Sequence, residues 1–115
     1  MRTLIIGLAV ALTLGSLAAC SSSSEPVCDN PVSTTSVDVA DFSYDPSCVA
    51  ATADGTLSIR NTGKVPHTFT VSGTDAAVDI PAGESADLDL SGVTPGVYRV
   101  ICTYHANMES ALKVD

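Results

Sequence analysis

Cys102, His105 and Met108 stand three residues apart in Cys102-Thr103-Tyr104-His105-Ala106-Asn107-Met108. A loop that short can turn a thiolate, an imidazole and a thioether toward one point. The sequence holds 2 histidines, and the other, His67, shares strand parity with Phe69 and Val71. That parity puts its imidazole on the inward face. A lone inward imidazole is usually a satisfied core residue, but here it completes a set of two nitrogens, one strong sulfur and one weak sulfur. Thiolate and thioether are soft ligands, and together with imidazole they favour copper. A trigonal His67, Cys102 and His105 plane with Met108 as a long axial ligand is an electron-transfer arrangement. Zinc competes for the same nitrogens and thiolate, yet structural zinc sites are built from Cys, His and carboxylates rather than methionine. Of the 2 methionines, Met1 lies in the leader, so Met108 is the one at hand.

The elements that must carry these side chains are short alternating runs. Val37 and Val39 alternate with polar neighbours, as do Leu57 and Ile59, His67 to Val71, Val78 and Ile80, and Leu88 and Leu90. Cys48 to Thr52, Val97 to Cys102 and Leu112 to Val114 complete the series. In the run ending at Cys102, Tyr98, Val100 and Cys102 face one way, and Val97, Arg99 and Ile101 the other. Asp54-Gly55, Pro81-Ala82-Gly83 and Thr94-Pro95-Gly96 mark turns between runs. About eight short strands with period-2 patterning predict an all-β Greek-key β-sandwich. No segment sustains a helical period.

The N-terminus reads as an address. Arg2 precedes an apolar stretch from Leu4 to Leu17, shorter than the ~20 residues a spanning helix needs, and Leu17-Ala18-Ala19-Cys20 closes it. That ending resembles the lipobox of bacterial lipoprotein signals. The resemblance implies cleavage before Cys20 and lipidation of its sulfur; an ordinary secretory signal cut near Ala19 is the alternative. Residues 1–19 are therefore expected to be a lipoprotein signal peptide. Residues 20–36 are expected to be the lipidated Cys20 with a Ser/Thr/Pro-rich tether, and 37–115 the copper-binding domain. The protein is expected to be exported and held by lipid on the outer face of the cytoplasmic membrane or within the periplasm.

Export favours paired cysteines. With Cys20 lipidated and Cys102 at the metal, Cys28 and Cys48 are left for each other, two free thiols being the alternative. Such a bridge restricts the unfolded chain by ~3 kcal/mol and would shorten the free tether to about residues 21–27.

The 115-residue chain carries 5 basic and 13 acidic side chains, a net charge of −8. Removing the leader and Arg2 leaves 4 against 13, or −9. Arg60, Lys64, Arg99 and Lys113 are scattered, so no nucleic-acid partner is expected. Asp38, Asp79, Asp87 and Asp89 alternate with core positions and read as a solvated face that could steer a basic redox partner. So small and charged a chain is expected to be a monomer.

Four segments carry a family resemblance. They are Cys102-x-x-His105-x-x-Met108, the approach strand Gly96-Val97-Tyr98-Arg99-Val100-Ile101-Cys102, the run Asn61-Thr62-Gly63-Lys64-Val65-Pro66-His67-Thr68-Phe69, and Val39-Ala40-Asp41-Phe42-Ser43-Tyr44-Asp45-Pro46. Together they resemble the cupredoxins, on the amicyanin and plastocyanin branch, over about Val37 to Val114. The resemblance implies one type 1 copper held by His67, Cys102, His105 and Met108. With no open coordination position, and neither of the 2 histidines left over for a second metal site, no enzymatic turnover is expected. The resemblance also implies partners such as a c-type cytochrome, an oxidase or a dehydrogenase. His105 would present its edge at the surface, with Val65, Pro66, Ala106 and Tyr104 forming a docking rim. Thr68 replaces the Asn that is frequent after the first histidine and braces the ligand-bearing loops; its hydroxyl can still make a hydrogen bond beside the ligands. Storage or delivery of copper is the competing function; it favours exposed, repeated Met and His ligands, unlike a single thiolate at a strand end.

Overall fold

The computed structural model describes Gly15 and residues 26–115. The expected cleavage site and Cys20 lie outside the described residues. Ten strands are described: β1 (Val32–Ser33), β2 (Ser36–Ala40), β3 (Ser43–Asp45), β4 (Cys48–Ala51), β5 (Thr56–Asn61), β6 (His67–Val71), β7 (Ala77–Ile80), β8 (Ser85–Asp89), β9 (Gly96–Ile101) and β10 (Glu109–Val114). No helix is among the described elements.

Alternation decides which face each strand buries. In β5, Leu57 and Ile59 are buried while Thr56, Ser58 and Arg60 are exposed. In β2, Val37 and Val39 point inward in the same way. These strands belong to a four-stranded sheet ordered β3-β2-β5-β8, facing a six-stranded sheet ordered β1-β4-β10-β9-β6-β7. Both sheets mix parallel and antiparallel pairs: β2 runs parallel to β5 and β4 to β10, whereas β9 is antiparallel to β10 and β6. The chain crosses between the sheets repeatedly, as a β-sandwich requires. Between them lies a core that includes Val37, Val39, Ile59, Phe69, Val71, Val100 and Leu112, all fully buried. Each such side chain contributes ~1.5–3 kcal/mol by leaving water.

The all-β expectation holds, with two strands beyond the eight runs visible in the sequence. Both are too short to show alternation. β3 has three residues, of which only Tyr44 is buried. β1 has two, both exposed, pairing in parallel with Val49 and Ala50. The sheet thus takes in part of the segment expected to be tether. Cys28 is joined to Cys48, the first residue of β4, with their Cα atoms 5.4 Å apart.

Candidate metal centre

Antiparallel pairing brings the first residue of one strand beside the end of another. β6 and β9 are neighbours with Thr70 opposite Ile101 and Val71 opposite Val100. Following that register outward carries His67, at the start of β6, to the level of the chain just beyond Cys102. The chain then turns through residues 102–108 and returns as β10, whose Glu109 pairs with Ile101. Backbone bonds close the turn: Cys102 N–H donates to the Met108 carbonyl (3.2 Å), and Met108 N–H to the His105 carbonyl (3.4 Å).

The result is a cluster in which His67, Cys102 and His105 each offer a donor atom, all within 4.8 Å of one another. Cys102 Sγ lies 3.9 Å from His67 Nδ1. The two imidazole centroids are 4.9 Å apart, with the rings inclined at 56°. His67 is 0% exposed, and Cys102 is a free, buried thiol. His105 is half-buried. Met108 is buried in the same apolar cluster as Cys102. The structure thus gathers His67, Cys102 and His105 and seats Met108 in the surrounding core, while Cys28 and Cys48 stand apart in their bridge.

A buried thiol alone is an ordinary core residue, but two imidazoles facing it are an unusual arrangement for a plain core. It is a good one for a soft cation that deprotonates the thiol. The donor set is consistent with copper.

Around these donors sits a layer of hydrogen bonds. Thr68 is its centre: its backbone N–H donates to Cys102 Sγ at 3.4 Å, and its hydroxyl accepts from Thr103 N–H at 2.9 Å. The same hydroxyl shares a 3.0 Å bond with Thr70. The Thr68 carbonyl accepts the Tyr44 hydroxyl at 2.7 Å. Tyr44 in turn packs edge-on against Phe69, with centroids 5.6 Å apart. Burial pushes the Tyr44 phenol well above its ordinary pKa, and the nearby Cys102 sulfur adds to the shift. The Thr68 hydroxyl thus makes its hydrogen bond to the turn after Cys102.

The segment leading into His67 is clamped by buried Asn61. Its amide donates to the carbonyls of Val65 (2.8 Å) and Ile80 (2.9 Å), and its oxygen accepts from Gly63 N–H (2.9 Å). Asp41, from the turn between β2 and β3, reaches the same segment. Its Oδ1 lies 3.3 Å from His67 Nε2 and accepts Lys64 N–H at 3.1 Å. Desolvation pushes the Asp41 carboxyl up, but bonds from Lys64 N–H, the His67 ring and Val65 N–H outweigh it and leave the group below its ordinary value. Gly63 makes this approach possible, since a Cβ there would collide with the Asp41 carboxylate.

The outer side is different. Pro66, Ala106 and Tyr104 of the expected rim are exposed, and Val65 is half-buried. His105 Nε2 lies 3.3 Å from the Pro66 carbonyl. Phe42, which patterning did not single out, is 68% exposed and meets the His105 ring edge-on at 5.2 Å. Its φ of 70° is an uncommon conformation for an aromatic residue. The one signal available in the sequence was a large apolar residue in a turn, between Asp41 and Ser43. Of the acidic residues, Asp38 pairs with Arg60 at 3.1 Å, Asp79 accepts the Tyr104 hydroxyl at 2.7 Å, and Asp89 accepts Ser91. Asp79, Asp87 and Asp89 are exposed, as a solvated face requires.

The profile of the family described as "Cupredoxin-like domain" matches residues 5–114, and the chain belongs to that family. No curated protein matches the chain. Solved structures share the fold at low identity. A reduced Cu(I) form of an amicyanin mutant is 22% identical, covering 77% of this chain and 86% of its own, with a TM-score of 0.57. A mutant plastocyanin of fern, known oxidized and reduced, is 22% identical over 70% of this chain and 99% of its own, with a TM-score of 0.59. The Cu-containing nitrite reductase of Thermus scotoductus SA-01 is 19% identical, covering 75% of this chain but 22% of the enzyme, with a TM-score of 0.58. This chain therefore spans less than a quarter of that enzyme's length.

Proposed function

We propose that the protein carries single electrons between redox partners on one type 1 copper ion held by His67, Cys102, His105 and Met108. The observation that carries this reading is the gathering of two imidazoles and one buried thiol within 4.8 Å at a strand end. Copper supplies the interconversion of Cu(I) and Cu(II). The chain's own residues do the rest. Cys102 and His67 are fixed by strand backbone and by Thr68 and Asn61, so the donors need little rearrangement when charge changes. The apolar cluster around Cys102 and Met108 keeps water from the sulfur. His105, with Phe42, Pro66 and Ala106 about it, gives the site its outward edge for docking.

Both histidines of the sequence are used in this one cluster, leaving none for a second metal site, and we take the protein not to be an enzyme. The Cu(I) form of the amicyanin and the oxidized and reduced plastocyanin share this fold, which supports the redox assignment. Export, lipidation of Cys20 and tethering to a membrane complete the proposal, as do partners such as a c-type cytochrome, an oxidase or a dehydrogenase. Replacing Cys20 by Ser should shift the protein from the membrane to the soluble fraction.

The test of the redox site is the visible spectrum of the purified chain after adding Cu(II). An intense thiolate-to-copper band, bleached by mild reductant and absent in Cys102→Ala, is expected. Weak colour and ready loss of copper to a modest chelator would instead mark copper storage or delivery.

A further inference from the structure

Asp41 has no part in the ligand set, yet it occupies an unusual position. It comes from the turn between β2 and β3, in the four-stranded sheet, and reaches across to a histidine that begins a strand of the other. Its carboxylate contacts the one nitrogen of His67 that does not face Cys102: Nε2 is 3.3 Å from Oδ1, while Nδ1 is 3.9 Å from Sγ. The same carboxylate oxygens take the backbone N–H of Lys64, at 3.1 and 3.4 Å. Gly63 lies against Asp41 where any side chain would collide.

Resting on the copper reading above, we propose that Asp41 is a positioning residue. It fixes His67 as the tautomer protonated at Nε2, aims the Nδ1 lone pair at the metal position, and lowers the reduction potential of the site. The physical basis is the acceptor-only character of a carboxylate. Beside a neutral imidazole it stabilises the N–H on its own side, which leaves the opposite nitrogen as the bare donor. A histidine ligand bonded through its second nitrogen to a carboxylate is a more basic and better oriented ligand. The negative charge also favours the more highly charged oxidation state. His67 is fully buried, so little water competes at the ring.

Two measurements test this. In the metal-free full chain, long-range proton–nitrogen spectra should show His67 protonated at Nε2 and bare at Nδ1. Protonation at Nδ1 overturns the proposal, whatever the protein does with copper. In the chain loaded with Cu(II) alone, Asp41→Asn keeps an acceptor in place but removes the charge. It should weaken Cu(II) about tenfold relative to Cu(I), a rise of about 59 mV in potential for one electron. Asp38→Asn removes an equal charge from β2, where the side chain is bound to Arg60 instead, and should leave the potential in place. Equal shifts in the two variants, or none in Asp41→Asn, overturn the role of Asp41. A failure of native protein to form the thiolate–copper band defeats the copper reading instead and leaves the spectra of the metal-free chain to decide the tautomer.

Discussion

His67 and His105 lie 4.9 Å apart, but the protein holds them by opposite means. His67 is the first residue of a strand, wholly buried, with its far nitrogen on Asp41 and the preceding loop clamped by Asn61. His105 sits in a turn of seven residues, half-buried, with a backbone carbonyl and the edge of an exposed Phe42 for neighbours. One side is fixed by the sandwich before any metal arrives. The other is a short loop resting on that frame. An electron carrier needs both kinds of region: a rigid cage around the ion and an accessible edge through which a partner couples to it. On the function proposed above, the two demands fall on opposite sides of one cluster.

The sharpest way to break this contrast is to truncate each ring in the metal-free protein. His67→Ala removes a fully buried side chain and should cost about 2–5 kcal/mol in urea unfolding, as core truncations do. His105→Ala should cost under ~1 kcal/mol, as half-exposed turn positions do. Equal costs would mean that the two sides are not built differently. Both variants should lose the thiolate–copper band.

Two tyrosines offer a finer comparison, since each donates a 2.7 Å hydrogen bond, one on each side. Tyr44→Phe leaves the buried Thr68 carbonyl without its partner and should cost about 1–3 kcal/mol. Tyr104→Phe removes a bond to exposed Asp79, where water substitutes, and should cost under ~0.5 kcal/mol. Similar losses would show that burial is not what separates the regions.

The smallest expected effect is in the alkaline range. The folded pKa of Tyr44 is raised, first by burial. Its contribution to stability is complete below the unfolded phenol value of ~10 and is lost as pH rises from there toward the folded value. Native protein should therefore lose stability above that pH more steeply than Tyr44→Phe in denaturant titrations at stepped pH. Parallel curves would remove Tyr44 as the cause.

Much of the fold was legible in the sequence because alternation is a local property. The valines of β2, the leucine and isoleucine of β5 and the inward parity of His67 and Cys102 all appear in runs of a few residues, and burial follows them. β1 and β3 escaped because two or three residues cannot display a period. The expected tether met the same limit: pairing of Val32 and Ser33 with β4 leaves no mark on side-chain patterning, both being exposed.

The candidate site divides along the same line. The kinds of donor and the spacing of three of them can be read from the residues alone, because Cys102, His105 and Met108 share one short segment whose chemistry is readable wherever it sits. The inward facing of His67 can be read in the same way. The pairing of β6 with β9, which sets His67 beside Cys102, emerges only when the strands assemble. The same assembly brings the β2–β3 turn over the site, with Asp41 on His67 and Phe42 on His105, across 26 and 63 positions of chain. Such contacts come from the packing of one sheet on another. Packing depends on the shape and register of every strand between, so no local pattern in the sequence carries it.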